Sequence, residues 1–588
     1  MLIVLDNMEQ LADAANALSD LLANTEHLQL LVTSRRILAV RGERMYALEP
    51  LAVPEDGAVT AAVDLFLERA RAVHPGYQPN NADLAAFAEL SRRLDGLPLA
   101  IELAAARLRL LSPAALLERM GYQRLDFLSR GARDLPSRQR TLRDTLDWSL
   151  ALLPADSKLL FARLSVFVGS ADLQAIEQVA NPNGQFETLD VIADLVDQSL
   201  VRAPAEVAEP RFGMLETIRE YAAEQLEATG TASDYRNRHE AHYLQLAERG
   251  AVALGTAEQL EWLDRLGREN ANFRAVMRRA LGRHDTATAL RMGRALNSYW
   301  YIGGSHSEGR GWMEQIVAVP SVRPEERAAA RAIDAIQAFL QGDYAPIETA
   351  LDDTLRVADE AKDGRIFALA RLLQAIARAD AGSEEGDWQT AVSEASRRLE
   401  TEGEPLAVGF GLVTEAVLAR IHGRLDEARR LAQDAYDLSK RIGELYVRMN
   451  ASTQLARAYR ELNDPAAAHR AAVETLLMAR RLRNVTSETY ALELWASAEL
   501  REGQVERAGR LYALAERGYR QVGSGLWRTD AKRHHELDTE LRTTLGDRYE
   551  QLLNEAQAGD LDQMVDELVQ SEPRLDQPQV ARLSSPGG

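Results

Sequence analysis

The chain has 588 residues, a length that calls for several domains at about 100–200 residues each. Apolar residues make up 46% and charged residues 27%, the balance of a well-packed globular protein, and 69 Lys and Arg against 89 Asp and Glu leave a net charge of −20. That charge excludes a grip on nucleic acid by bulk electrostatics, and the lack of any cysteine excludes disulfides, thiol catalysis and cysteine-based metal sites.

No apolar run approaches the roughly 18 residues of a membrane span. Met1–Asp6 carries no basic stretch and no cleavage-like site, so a cytoplasmic protein without membrane contact is expected. Only four basic residues are lysine, namely Lys158, Lys362, Lys440 and Lys532, and none follows a glycine. A phosphate loop of the G-x-x-x-x-G-K-[ST] type is therefore not present in these residues.

Leu2-Ile3-Val4-Leu5 followed by Asp6 reads as a buried parallel strand with a carboxylate at its C-terminal end. Glu9–Ala23 has helical spacing, and Leu28–Val32 reads as a second strand ending in Thr33-Ser34-Arg35. Strand, helix and strand predict a parallel crossover, whose ligands sit beyond the carboxyl ends of the strands. A carboxylate there suits Mg²⁺ and an arginine suits a terminal phosphate. Any parallel strand can equally end in Asp, and Arg35 can simply be solvated. Further on, Gly96 permits an unusual backbone angle and Pro98 presets the first turn of an apolar helix running from Leu99 to Leu111.

Taken in order, the Leu2–Asp6 strand, Thr33-Ser34-Arg35, Tyr46–Leu51 and Arg93–Ala106 with its Gly96-Leu97-Pro98-Leu99 core resemble the regulatory ATPases of the STAND (NB-ARC-like) class. The nearest resemblance is to bacterial AfsR/LuxR-type regulators with a helical-repeat half. The resemblance implies that Asp6 is the Walker B carboxylate, that Thr33, Ser34 and Arg35 sense the terminal phosphate, and that Gly96, Leu97, Pro98 and Leu99 flank the adenine. It also implies ADP or ATP with Mg²⁺ as cofactor of the intact protein. In that family the phosphate loop precedes the Walker B strand, whereas this sequence begins at the strand. The start then reads as misassigned, as a cloning boundary or as a true truncation, and the chain by itself is expected to lack ATPase competence and to need no cofactor. Asn7 stands where many ATPases have a second acid and cannot act as a base.

Residues 140–153, 155–164, 171–179 and 189–197 read as helices, followed by short strands at Leu200–Arg202 and Arg211–Met214. That is winged-helix order. The helix that would enter a DNA groove, Phe186–Ser199, carries Glu187, Asp190, Asp194 and Asp197 and no base, so direct DNA binding is disfavoured. Where the family often has Met-His-Asp this chain has Met214-Leu215-Glu216, and leucine cannot make the histidine's contact with ADP. The arginines between Arg130 and Arg143 read as a solvated linker more readily than as a phosphate site. His239-Glu240-Ala241-His242 and His534-His535-Glu536 lack metal-motif spacing, and no metal is assigned.

Turn markers at Gly342-Asp343, Gly386-Asp387, Gly423-Arg424, Asn463-Asp464 and Gly503-Gln504 recur at 44, 37, 40 and 40 residues. Small residues follow them at Ala428, Ala466–Ala468 and Ala508, which predicts a tetratricopeptide-like solenoid. Trp262, Phe273, Trp300, Tyr301 and Trp312 in the preceding segment are read as core rather than as a ligand platform.

The expected fold is mainly α. A partial parallel α/β nucleotide-binding remnant (1–50) leads to a helical lid (51–135), a winged helix (136–230), a helical bridge (231–320), the repeats (321–545), a helical cap (546–571) and a disordered tail (572–588). Two functions are carried forward. One is a nucleotide-switched signalling regulator whose solenoid senses a ligand, protein or peptide and whose ATP state self-assembles. The other is a nucleotide-independent interaction scaffold. A DNA-binding winged-helix transcription factor is the weakest reading.

Overall fold

The structure is a computed structural model. It describes residues 2–5, 8, 18, 20–22, 24–25, 28–34, 40, 43–46, 48–54, 60–73, 77–105, 108, 111–119, 142–203, 209–343, 352, 355–356, 359, 364–382, 388–401, 407–522 and 528–570. Asp6, Asn7, Arg35, Arg130–Arg140, Gly386-Asp387 and the tail 572–588 lie outside the described residues. The chain divides into two compact units, Met1–His242 and Tyr243–Gly588.

In the first unit, β1 (Leu2–Leu5) and β2 (Gln29–Val32) pair in parallel, with Leu5 opposite Val32. Four helices follow: α1 (Ala61–Val73), α2 (Asn81–Arg93), α3 (Pro98–Ala105) and α4 (Pro113–Arg119). α2 starts where Asn80 and Asp83 cap each other's backbone N–H groups, a reciprocal capping box. Phe66 and Phe87, both fully buried, stack at 5.1 Å to join α1 to α2, and Arg69 donates to Glu102 at 2.9 Å to join α1 to α3.

Next come α5 (Leu142–Ala151), α6 (Ala155–Leu164), β3 (Ser170–Asp172), α7 (Leu173–Ala180), α8 (Thr188–Asp197), β4 (Arg211–Gly213) and α9 (Glu216–Ala228). Leu160, Phe161, Ile176, Ile192, Leu195 and Tyr221 fill the core between them. The sheet differs from the expected hairpin. β4 runs antiparallel to β3, while Leu200–Arg202 contributes a single bridge, Arg202 to Gly213. β3 occupies residues that the apolar spacing assigned to the next helix. That helix begins two residues later because Asp172 caps it, its carboxylate accepting from Ala175 N–H at 2.7 Å. Gly213 permits the pairing, since a Cβ there would stand 2.5 Å from the Gly169 carbonyl oxygen.

α10 (Ala232–Ala253) runs across the division, and the second unit is helical throughout its described residues. Its first helices are α11 (Gln259–Arg268), α12 (Asn270–Gly282), α13 (Thr286–Ile302), α14 (His306–Ala318) and α15 (Pro324–Leu340). The repeats continue with α16 (Gly364–Asp380), α17 (Trp388–Thr401), α18 (Ala407–Ile421), α19 (Leu425–Ile442), α20 (Tyr446–Glu461) and α21 (Pro465–Arg481). Then come α22 (Val485–Arg501), α23 (Val505–Val522), α24 (Arg528–Leu545), α25 (Asp547–Ala558) and α26 (Leu561–Gln570).

From α16 to α23 each helix packs on the next, the arrangement of an α-solenoid. Ala428, Ala467, Ala468 and Ala508 are buried where helices approach closely. The turn markers work through the left-handed backbone: φ is +74° at Gly342 and Gly423, +60° at Asn463 and +81° at Gly503. After α16 the left-handed residue is Gly382 at +80°, four residues before the expected marker.

Candidate functional site

The sequence-predicted residues fall on two pieces of the first unit. At the strand edge, Thr33 N–H donates to the Leu5 carbonyl at 2.9 Å, and the Thr33 carbonyl accepts from Met8 N–H at 3.0 Å. Thr33 is exposed and Ser34 half-buried. The two charged members of this set, Asp6 and Arg35, lie outside the described residues.

The other piece is the turn between α2 and α3. Asp95 (φ +53°) and Gly96 (φ +63°) are both left-handed. Gly96 N–H donates to the Ser91 carbonyl, and its own carbonyl accepts from Leu51 N–H, each at 3.0 Å. A Cβ on Gly96 would lie 2.1 Å from the Leu51 oxygen, so only glycine fits. Leu97 is half-buried, and Pro98 is exposed at the first position of α3. The Leu99 side chain is outside the described residues.

Sequence reasoning missed the most informative member. Asp95 Oδ2 accepts from Thr217 N–H at 3.0 Å and from Thr217 Oγ1 at 3.1 Å, across 122 residues. α9 has no side-chain cap of its own at Leu215, so an aspartate from the turn between α2 and α3 caps the winged helix's last helix. Burial pushes the Asp95 carboxyl above the ordinary aspartate value, against the lowering effect of the Thr217 and Glu216 backbone N–H groups. Met214-Leu215-Glu216 lies at this junction, where Glu216 pairs with Arg219 at 2.6 Å. Nothing in a local sequence pattern announces a cap supplied from so far away.

The helix expected from the sequence to face a DNA groove is α8. Its turn is fixed by Asn181, which donates to the Phe186 carbonyl at 2.8 Å and to Thr188 Oγ1 at 2.9 Å. Glu187, Leu189 and Asp190 are exposed, and Asp194 accepts from Ser157 Oγ at 2.9 Å on α6. The arginines nearby are engaged within the fold. Arg211 holds Ser170 through its carbonyl at 2.9 Å, and Arg163, buried, donates to the Ala180 carbonyl at 2.9 Å and lies over the Tyr235 ring.

Residues 153–227 match the winged helix-turn-helix domain family. Within that stretch five basic residues face thirteen acidic ones. A Mycobacterium tuberculosis protein named "Putative HTH-type transcriptional regulator" is 37% identical over 323 residues, which is 54% of this chain and 35% of that protein. The chain thus spans about a third of the length of this relative. An uncharacterized M. tuberculosis protein is 35% identical over 249 residues, 42% of this chain and 62% of that one. A crystal structure of a Signal Transduction ATPase with Numerous Domains (STAND) protein with a tetratricopeptide repeat sensor, from Pyrococcus horikoshii, overlaps 97% of this chain and 82% of its own. The identity there is 14% and the TM-score 0.39, a level that defines no shared fold.

Two of the histidines set aside in the sequence, His239 and His534, have packing partners. His239 is buried against the Phe167 ring at 5.6 Å, and His534 lies 3.1 Å from both Glu493 and Glu516. Among the described residues the group nearest to a metal set is His469, Glu499 and Glu502, in which Glu499 also accepts from Trp495 Nε1 at 2.9 Å. No helix among the described residues is long and apolar enough to cross a membrane.

Proposed function

We propose that this chain is the switch-and-sensor part of a signal-responsive regulator of the STAND class, in which the winged helix is an intramolecular module and the solenoid receives the signal. The observation that carries this reading is Asp95 capping α9, which ties the turn bearing Gly96–Leu99 to the winged helix. A module held in this way, with an acidic face and engaged arginines, suits relay better than DNA readout. The naming of the M. tuberculosis relative as a transcriptional regulator supports a regulatory output. In this reading such output acts through another segment or partner of the intact, cytoplasmic protein.

In the intact protein ADP or ATP with Mg²⁺ would lie between Asp6, the Thr33-Ser34-Arg35 sensor and the Gly96–Leu99 turn, with an upstream phosphate loop completing the site. ATP would favour self-assembly, and a protein or peptide on the solenoid would release the ADP state. Calorimetric titration of Mg-ADP into the native protein tests this. Stoichiometric binding, weakened about tenfold by Arg35→Ala, is expected for a lost phosphate contact. No binding by the native protein would contradict it.

That negative result would favour the second reading, a nucleotide-independent scaffold. One observation supports it already: both backbone polar groups of Gly96 are satisfied within the fold, so the turn needs no nucleotide to exist.

A further inference from the structure

The second unit contains a cavity that none of the motifs above explains. It is half-open, about 120 Å³ in volume, and is walled by α13, α15, α16, α18 and α20. One wall is a cluster of three rings. Tyr301 lies 6.3 Å from Phe410 and 5.2 Å from Tyr446, and Phe410 lies 6.4 Å from Tyr446. The side chains from α15 and α16 are apolar: leucines and isoleucines together with Phe339. No lining residue is an acid or a base.

The polar side chains of the lining are uncharged, namely Tyr301, Thr414, Tyr446, Asn450 and Gln454, and the last stands out. Gln454 is 5% exposed, and its Oε1, fully buried, accepts no hydrogen bond among the described residues. The neighbouring Asn450 is already used, donating to the Tyr446 carbonyl at 2.9 Å. A buried acceptor without a donor is costly, and a turn of the Gln454 amide about its terminal torsion would present it to a ligand in the cavity that brings an N–H or O–H. The absence of charge on the walls excludes phosphorylated, carboxylate and ammonium ligands, because a charge buried there would have no counterpart. Cavities of this size and lining accept about one aromatic ring system.

We infer that this cavity binds a small, uncharged, aromatic molecule carrying one hydrogen-bond donor, which Gln454 Oε1 receives while the Tyr301, Phe410 and Tyr446 rings pack on its faces and edges. This names a ligand class for the solenoid and rests on the sensing role proposed for it, but it requires no nucleotide.

Indole and benzofuran, near-isosteres that differ in the N–H, are the probes. They are titrated into the full chain by calorimetry in nucleotide-free buffer. Indole is expected to bind at one site with a dissociation constant below about 1 mM, and about five- to tenfold more tightly than benzofuran. In Gln454→Leu the two should bind alike, with benzofuran unweakened. Failure of both probes to bind the unmodified chain would overturn the proposal, as would an indole preference that survives Gln454→Leu. Since nucleotide is absent, such a failure leaves the Mg-ADP result untouched, and failure of Mg-ADP binding leaves this one untouched.

Discussion

Gly96 shows how much one residue can fix. Its φ of +63° and the 2.1 Å gap between a hypothetical Cβ and the Leu51 oxygen exclude every side chain. Gly96→Ala must either break the Leu51–Gly96 hydrogen bond or displace the turn, and is expected to cost about 2–4 kcal/mol of stability by urea unfolding. A loss under about 1 kcal/mol would show that the turn relaxes freely. Asp530 makes the opposite point about charge. It is buried 2.7 Å from Arg457 and 3.7 Å from Arg460. Against the cost of burial, the cluster of Arg457, Arg420, Arg460 and Arg533 holds its carboxyl below the usual aspartate value. Asp530→Asn strands buried guanidinium groups, and a loss of about 3–5 kcal/mol is expected in the same assay.

His534 supplies the pH dependence. Burial alone would lower its pKa, but hydrogen bonds to Glu493 and Glu516 prevail and raise it to about 10. A folded-state value above the unfolded one gives stability that is fully present below about pH 6.5 and is lost as pH rises through about 10. Removing the imidazolium by His534→Gln leaves two carboxylates facing each other and is expected to cost about 3 kcal/mol near pH 6. The difference from the unmodified chain should shrink toward pH 10.5, as followed by denaturant midpoints; a pH-independent difference would rule out the charged histidine.

At the scale of elements, the repeats and β4 were legible and β3 was not. The solenoid announces itself because each turn needs a left-handed residue, and Gly342, Gly423, Asn463 and Gly503 are residues that tolerate one. Asn463→Val puts a β-branched side chain at φ +60° and is expected to lower stability by about 1–2 kcal/mol, whereas Asn463→Gly should be nearly neutral in thermal melts. The strand at Ser170–Asp172 has three residues, too few for an alternating pattern to declare itself, and an apolar helix follows directly. Long-range partners were equally out of reach. Asp95 meets Thr217 122 residues away, and Gln259 meets Glu444 at 2.7 Å across 185. Composition and spacing describe each element's own faces, not which distant terminus a polar side chain will cap. Of the predicted nucleotide residues, the structure places Thr33 at the edge of a parallel pair and Gly96 in a strained turn. The cavity under Gln454 left no trace in the sequence, because its lining residues are ordinary helix-core types until five helices bring them together.

At the scale of the whole molecule, a net charge of −20 and a winged helix with five basic against thirteen acidic residues support the proposal that this module works on its own chain. The account stands or falls on that point. Hydrogen exchange of the full chain, read by mass spectrometry with and without mixed-sequence duplex DNA and repeated for Asp95→Ala, tests it directly. The account predicts that DNA leaves residues 188–199 unchanged, and that Asp95→Ala speeds exchange at 216–220 and 91–97 together. Protection of 188–199 by DNA, with exchange at 216–220 indifferent to Asp95, would contradict it and make the winged helix a reader of DNA.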